Sequence, residues 1–164
     1  MTTIATAGVA AKTEPSQHLT FQLGEEEYGI EILKVQEIRG YAGVTPIPNT
    51  PTYIRGVMNL RGTVIPVVDL RARFAMANQE YSKFTVIVIV MVREKVIGLV
   101  VDAVSDVLDV LPSQIRERPE LGSRTDLRFI GGMATVGEKL VVLLDIERLL
   151  SEDDLQSASS ANAA

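Results

Sequence analysis

From Leu19 onward apolar and polar residues alternate. Leu19, Phe21 and Leu23 stand between polar neighbours, Gly24-Glu25-Glu26 forms a turn, and Tyr28, Ile30 and Ile32 resume the alternation. A period of two belongs to a strand with one buried face, so this stretch predicts a β-hairpin. The pattern then changes: Ile32, Val35 and Ile38 recur every third residue, which predicts a short helical turn with those three on one face. Pro46, Pro48 and Pro51 force an extended or turning connection. Tyr53 to Leu60 and Thr63 to Val68 predict two strands around a turn at Asn59-Leu60-Arg61-Gly62, and Asp69 is placed to cap a helix containing Leu70, Phe74 and Met76. The apolar run Val86 to Val92, bounded by Lys83 and Arg93, predicts a buried strand. It is far too short to span a bilayer, which takes about 20 residues.

The pattern repeats. Tyr28-Gly29-Ile30 matches Ile97-Gly98-Leu99 at an offset of 69, which also puts Val35 on Val104 and Ile38 on Val107. Tyr53-Ile54-Arg55-Gly56 matches Phe129-Ile130-Gly131-Gly132 at an offset of 76, which puts Val68-Asp69-Leu70 on Leu144-Asp145-Ile146. The larger second offset predicts a longer loop around Pro112 to Leu127. The chain therefore reads as two copies of one mostly-β unit of about 70 residues. Units this small close as short-stranded barrels and are marginal alone, so the two should pack together and leave a groove between them.

Composition narrows the function. Of 164 residues, 46% are hydrophobic and 5% aromatic, with Val, Ile and Leu dominant, so a strand-rich core is expected and little material exists for stacking bases. The formal charge of −5 opposes a nucleic-acid footprint and direct binding to anionic lipid. There is no cysteine, which excludes disulfides and thiolate metal sites. The Ala/Thr-rich stretch 1–16 and the low-complexity end SASSANAA read as disordered tails, and the start does not read as a secretory signal.

Catalytic chemistry finds few candidates. His18 is the single histidine and reads as an ordinary residue where the tail meets the first strand. Gly132 to Lys139 imitates a phosphate-binding loop, but Glu138 stands where Lys is needed, Leu140 where Ser or Thr is needed, and a strand follows. Asp102, Asp106 and Asp109 are spaced like one helical face; without a basic or nucleophilic partner they read as a solvated acidic face, leaving a small acidic-site hydrolase as the improbable alternative. Asp69 and Asp145 fall at equivalent positions and read as two helix N-caps. Arg61 and Glu37 stand apart: Arg61 sits at a hairpin tip with no counterpart in the second half, and Glu37 adjoins the stripe Ile32, Val35, Ile38. Charges rimming an apolar stripe fit a partner-binding patch.

Several segments together resemble the CheW family: Glu27 to Ile38 (EYGIEILKVQEI), Ile54 to Gly62 (IRGVMNLRG), Ile65 to Arg71 (IPVVDLR) and Gly98 to Val107 (GLVVDAVSDV), in the right order across Phe21 to Leu150. The resemblance implies a mainly β fold of two tandem, pseudo-repeated SH3-like five-stranded barrels with short helices. It implies a CheW-like domain over 17–155, with subdomains intertwined in sequence at approximately 17–82 and 83–150, between tails 1–16 and 156–164. It further implies no catalysis, no cofactor and no metal. The implied partners are the regulatory domain of the histidine kinase CheA and the cytoplasmic tip of methyl-accepting chemoreceptors. Assembly into rings beneath membrane receptor arrays, on the cytoplasmic side and without membrane insertion, is implied as well. Carried over position by position, receptor contacts are expected at Ile32, Val35, Glu37, Arg61, Val86 and Ile87, with apolar side chains laid on Ile32, Val35 and Ile87. Kinase contacts are expected at Val44, Gly56, Arg116, Glu120 and Leu121, where Leu121 replaces the larger aromatic expected in relatives. A scaffold of the same fold in a non-motility chemosensory pathway is the nearest alternative, and a nucleic-acid module the more distant one.

Overall fold

A computed structural model of the chain describes residues 15–74, 76, 80–116 and 130–149. Eleven strands form two sheets. They are β1 (Ser16–Leu23), β2 (Glu26–Glu31), β3 (Val35–Gly40), β4 (Ile54–Leu60), β5 (Thr63–Asp69), β6 (Val86–Val92), β7 (Lys95–Val101), β8 (Ala103–Val110), β9 (Ile115–Arg116), β10 (Ile130–Val136) and β11 (Lys139–Leu144). One sheet has the order β8-β1-β2-β11-β10-β9 and the other β3-β6-β7-β5-β4. The expected mainly-β architecture of two small sheet units is therefore present. Neither sheet coincides with one half of the sequence, however, because the N-terminal hairpin pairs with β8 and, in parallel, with β11. The tail expected over 1–16 gives way to structure at Ser16, which pairs with Val110 in the β1–β8 ladder; residues 1–14 and 150–164 lie outside the described residues.

The hydrophobic pattern explains the packing. Strand β6 is buried from Ile87 to Val90, and its side chains alternate between two cores. Val88 and Val90 join Phe21, Ile30, Leu99 and Leu144 between the sheets, whereas Ile87 and Ile89 join Met58, Leu60, Ile65 and Val67 inside the five-stranded sheet. Each such fully buried Val or Ile contributes about 1.5–3 kcal/mol relative to exposure. A third cluster, Val110, Ala134, Val141 and Leu143, fills the six-stranded sheet.

The every-third spacing of Ile32, Val35 and Ile38 has a different origin from the one its period predicts. Only Ile32–Lys34 forms a 3-10 turn; Val35 begins a strand. In the β3–β6 ladder Val35 opposes Val90, Glu37 opposes Ile89 and Ile38 opposes Val88, so Gln36 is the extra residue of a β-bulge. A bulge absorbs one residue, and Val35 and Ile38 share a face because their partners Val90 and Val88 do. The face was readable and the element was not. Asp102, Asp106 and Asp109 likewise lie not on a helix but on the strand β8 and the residue before it, where pairing with β1 outweighs local spacing. The helix after Asp69 is one turn, Leu70–Arg73, with Phe74 as its C-cap.

Candidate functional site

Two features converge on one side of the five-stranded sheet. The first is the hairpin tip between β4 and β5. Leu60 opposes Thr63, leaving Arg61 and Gly62 as a two-residue loop with φ of 51° and 89°. Positive φ at both loop residues is the geometry that matches the twist of a tight hairpin. Asn59 Oδ1 accepts from the Gly62 amide at 2.7 Å and holds the turn. Glycine tolerates this conformation freely; arginine does not, so Arg61 is held there at a local cost.

The second feature is β3, an edge strand. Its Glu37 carboxylate accepts from Arg39 Nε at 2.8 Å and, through the other oxygen, from Arg61 Nη2. The Arg39 and Arg61 guanidiniums hold that carboxyl below its ordinary range. Because β3 and β4 are the opposite edges of the sheet, the Glu37–Arg61 pair draws those edges together. A backbone bridge also ties Thr45, in the segment that follows β3, to Val57 of β4. The two charges that rim the stripe are thus partners of each other.

Beside them lies the apolar stripe. Ile32, Val35 and Val86 are half-buried against the core between the sheets, Ile38 is exposed, and Leu33 on the 3-10 turn is 93% exposed. Ile87 does not belong to this stripe. It is fully buried in the core inside the sheet, because its side chain points opposite to that of Val86. The expectation that a partner lays an apolar side chain on Ile87 is corrected: Val86 holds the corresponding place on the accessible face. Nothing in the sequence marked Leu33, which the period-three pattern passes over.

The positions expected to meet a kinase are spread over two regions. Val44 is half-buried against the core that contains Met58 and Leu60. Gly56 is buried, and its φ of 148° brings the chain so close to Thr45 that an added Cβ would lie 2.0 Å from the Thr45 carbonyl oxygen. Gly56 therefore offers no side-chain contact; it permits the Thr45–Val57 bridge that positions Val44. Arg116 is exposed and donates to the Ser113 carbonyl at 2.7 Å. Glu120 and Leu121 lie outside the described residues.

Asp69 does more than cap a helix. Its side chain accepts from the Arg71 amide, as the capping role requires. It also accepts from Arg71 Nε and Nη2 and from Arg55 Nε, each at 3.0 Å. Arg71 is only 1% exposed; its Nη1 donates to the Glu80 carbonyl at 2.6 Å and to Asp102 Oδ1 at 3.0 Å, and it lies over the Tyr81 ring. Asp102 in turn accepts from the Gly24 amide at 2.7 Å, in the turn between β1 and β2. This charge-balanced chain joins the two sheets. Asp102 thus belongs to an ion network and not to an acidic face with Asp106 and Asp109, which are exposed on β8.

Among the described residues no group of three or more His, Cys, Asp or Glu side chains is placed to hold a metal, and no helix is long and apolar enough to cross a membrane. Comparison with known proteins gives the kinship. A family model described as "CheW-like domain" matches residues 17–154. The "Chemotaxis protein CheW" of Klebsiella aerogenes is 46% identical over 147 residues, covering 90% of this chain and 89% of that protein. The "Probable chemotaxis protein CheW" of Rhizobium etli is 39% identical, covering 85% and 90%. The crystal structure of the scaffolding protein TtCheW from Thermoanaerobacter tengcongensis superposes with a TM-score of 0.80 at 34% identity, covering 85% of this chain and 95% of that one.

Proposed function

Because the chain belongs to the CheW-like domain family and is a chemotaxis coupling adaptor, we propose that it holds two partners at once: the regulatory domain of the histidine kinase CheA and the cytoplasmic tip of methyl-accepting chemoreceptors. It acts by binding, without turnover, on the cytoplasmic side of the membrane. The observation that carries this reading is kinship over nearly the whole chain, 17–154, with relatives named for chemotaxis. The exposed face supports it in detail. An amphipathic receptor helix would lay apolar side chains on Ile32, Leu33, Val35, Ile38 and Val86, as helix-in-groove recognition requires. Arg61, 66% exposed, would share its guanidinium between Glu37 and the partner. The kinase domain would meet the segment around Val44, whose position depends on Gly56, and the region of Arg116, Glu120 and Leu121.

Two such ends on one molecule suit head-to-tail contacts, which close into rings when the rotation allows. Individual contacts can then be weak, because many receptors and kinases in one array raise the effective concentration. The test is calorimetric titration of the protein into a CheA regulatory domain and into receptor tips. Saturable binding to both, with receptor binding lost in Arg61→Glu and kinase binding kept, is expected. Absence of binding to either partner by a folded sample would overturn the reading.

A further inference from the structure

The two halves of the chain carry the same β-bulge with different occupants. In the β4–β5 ladder Ile54 opposes Val68 and Gly56 opposes Val67, so Arg55 is the bulged residue; in the β10–β11 ladder Ile130 opposes Leu144 and Gly132 opposes Leu143, so Gly131 is. Each bulge adjoins the equivalent aspartate. Arg55 reaches Asp69 with a 3.0 Å hydrogen bond, and Asp145 has no side chain at Gly131 to receive. Sterics do not force glycine there: a Cβ at Gly131 would lie 3.8 Å from the Leu143 carbonyl oxygen and 3.9 Å from Asp145 Cβ, in ordinary contact.

Where the arginine of the first half sits, the second half has an open cleft of about 390 Å³, whose lining includes His18, Glu31, Lys34, Gly131, Asp145 and Glu147. Its other positions have changed in the same sense. His18 and Glu31 oppose each other in the β1–β2 ladder, where the equivalent pair in the β6–β7 ladder is Ile87 and Val100, both fully buried. His18 is itself 6% exposed, and its Nδ1 is buried with no hydrogen-bond partner among the described residues. Burial holds the imidazole below its ordinary pKa, against the opposing pull of the Ser16 backbone and of Glu31. Of the carboxylates, Glu147 is engaged by Lys34 at 2.8 Å, the same ammonium is also drawn by Glu31 and Asp145, and Asp145 accepts from the Glu147 amide and lies 3.3 Å from Nε of the exposed Arg148. Arg93 donates to the Glu147 backbone carbonyl, not to a carboxylate.

We propose that this cleft binds the guanidinium of an arginine side chain presented by a partner protein, which takes at Asp145 the place that Arg55 takes at Asp69. A planar fork of donors suits the carboxylates of Asp145 and Glu31, with the buried His18 ring forming part of the wall behind them. The first half fills the equivalent place with an arginine side chain carried on a polypeptide, so a side chain of a partner protein is the fitting source.

The test is an amide-resolved NMR titration of the full chain at pH 7 with N-acetyl-arginine amide, ethylguanidinium and free L-arginine. The blocked arginine should give saturable shifts centred on His18, Gly131 and Asp145, with binding about tenfold weaker in Asp145→Asn, which keeps the helix cap while removing the charge. Gly131→Arg, which supplies the guanidinium from within, should abolish binding while keeping a dispersed spectrum; if that variant fails to fold, Asp145→Asn decides alone. Unsaturable or scattered shifts, or equal binding by Asp145→Asn, would overturn the site. Free L-arginine or ethylguanidinium binding more tightly than the blocked residue would overturn a partner protein as the source.

Discussion

Alanine at Gly56 should cost the fold about two to three times what alanine costs at Gly62, although both glycines have positive φ. At Gly62, with φ 89°, an added Cβ meets nothing within 4 Å, and only the left-handed backbone penalises it, by about 1–2 kcal/mol. At Gly56 the Cβ would lie 2.0 Å from the Thr45 carbonyl oxygen, 2.6 Å from its carbon and 2.9 Å from Pro46 Cα. All three are backbone atoms, so no rotamer change relieves the overlap and the segment around Thr45 must move. That movement breaks the reciprocal pair Thr45 N–H to Val57 O at 2.8 Å and Val57 N–H to Thr45 O at 2.9 Å. Two bonds at about 1 kcal/mol each net, with about 1–3 kcal/mol of backbone strain, give a loss of about 3–5 kcal/mol. Urea denaturation of both variants measures the loss, and hydrogen exchange at the Thr45 and Val57 amides reports the bridge. Equal losses at the two glycines, or a Gly56→Ala protein within about 1 kcal/mol of wild type with both amides still protected, would refute the reasoning. Any kinase-binding defect in Gly56→Ala should then be read through displacement of Val44, because Gly56 itself is buried.

Arg71→Met should destabilise the protein by about 3–5 kcal/mol, because it leaves the fully buried Asp69 with less compensation; a urea midpoint close to wild type would contradict this. Arg61→Glu should leave thermal melting nearly unchanged while removing receptor-tip binding, and retention of that binding would move Arg61 off the receptor face. The His18 pKa is lowered by burial, so the unfolded chain takes up a proton more readily than the folded one, and stability should decrease as pH falls below the ordinary value of 6.5. His18→Gln should lose that decrease in denaturation curves measured from pH 7.5 to 5.

The sequence was most legible where a single ladder decided the outcome. Leu19, Phe21, Leu23, Tyr28 and Ile30 are all buried, as their alternation predicts, and the β4–β5 hairpin runs within a residue of its expected bounds. Asp69 and Asp145 both accept from the amide two residues on, as caps should. The candidate stripe was legible as a set, Ile32, Val35 and Ile38, because a bulge at Gln36 imitates a helical period. Tertiary placement was not legible. Ile87 and Val86 are neighbours in an unbroken apolar run, and only the presence of cores on both faces of β6 separates the buried residue from the accessible one. Arg71 was visible only as the end of the IPVVDLR segment, and nothing marked its burial, since an arginine after a helix cap is ordinarily solvated; that burial depends on Asp102, 31 residues away, and on Tyr81. The pairing of Glu37 with Arg61 required knowing that the β4–β5 tip comes within side-chain reach of β3.

The exchange of strands between the sheets also sets an order of events during synthesis. The hairpin β1–β2 leaves the ribosome first, yet its neighbours β8 and β11 follow only after the whole five-stranded sheet: Thr20 bonds Asp106 across 86 positions, and Ser16 bonds Val110 across 94. The five-stranded sheet is complete once Val101 has emerged, while the earlier hairpin still lacks both flanking strands. A lone hairpin is marginal in water, and contacts this distant in sequence form slowly. The oldest strands of each nascent molecule are therefore the last to be secured, and a chain cut short before Lys139 would keep β2 as an open edge, ready to pair with another copy.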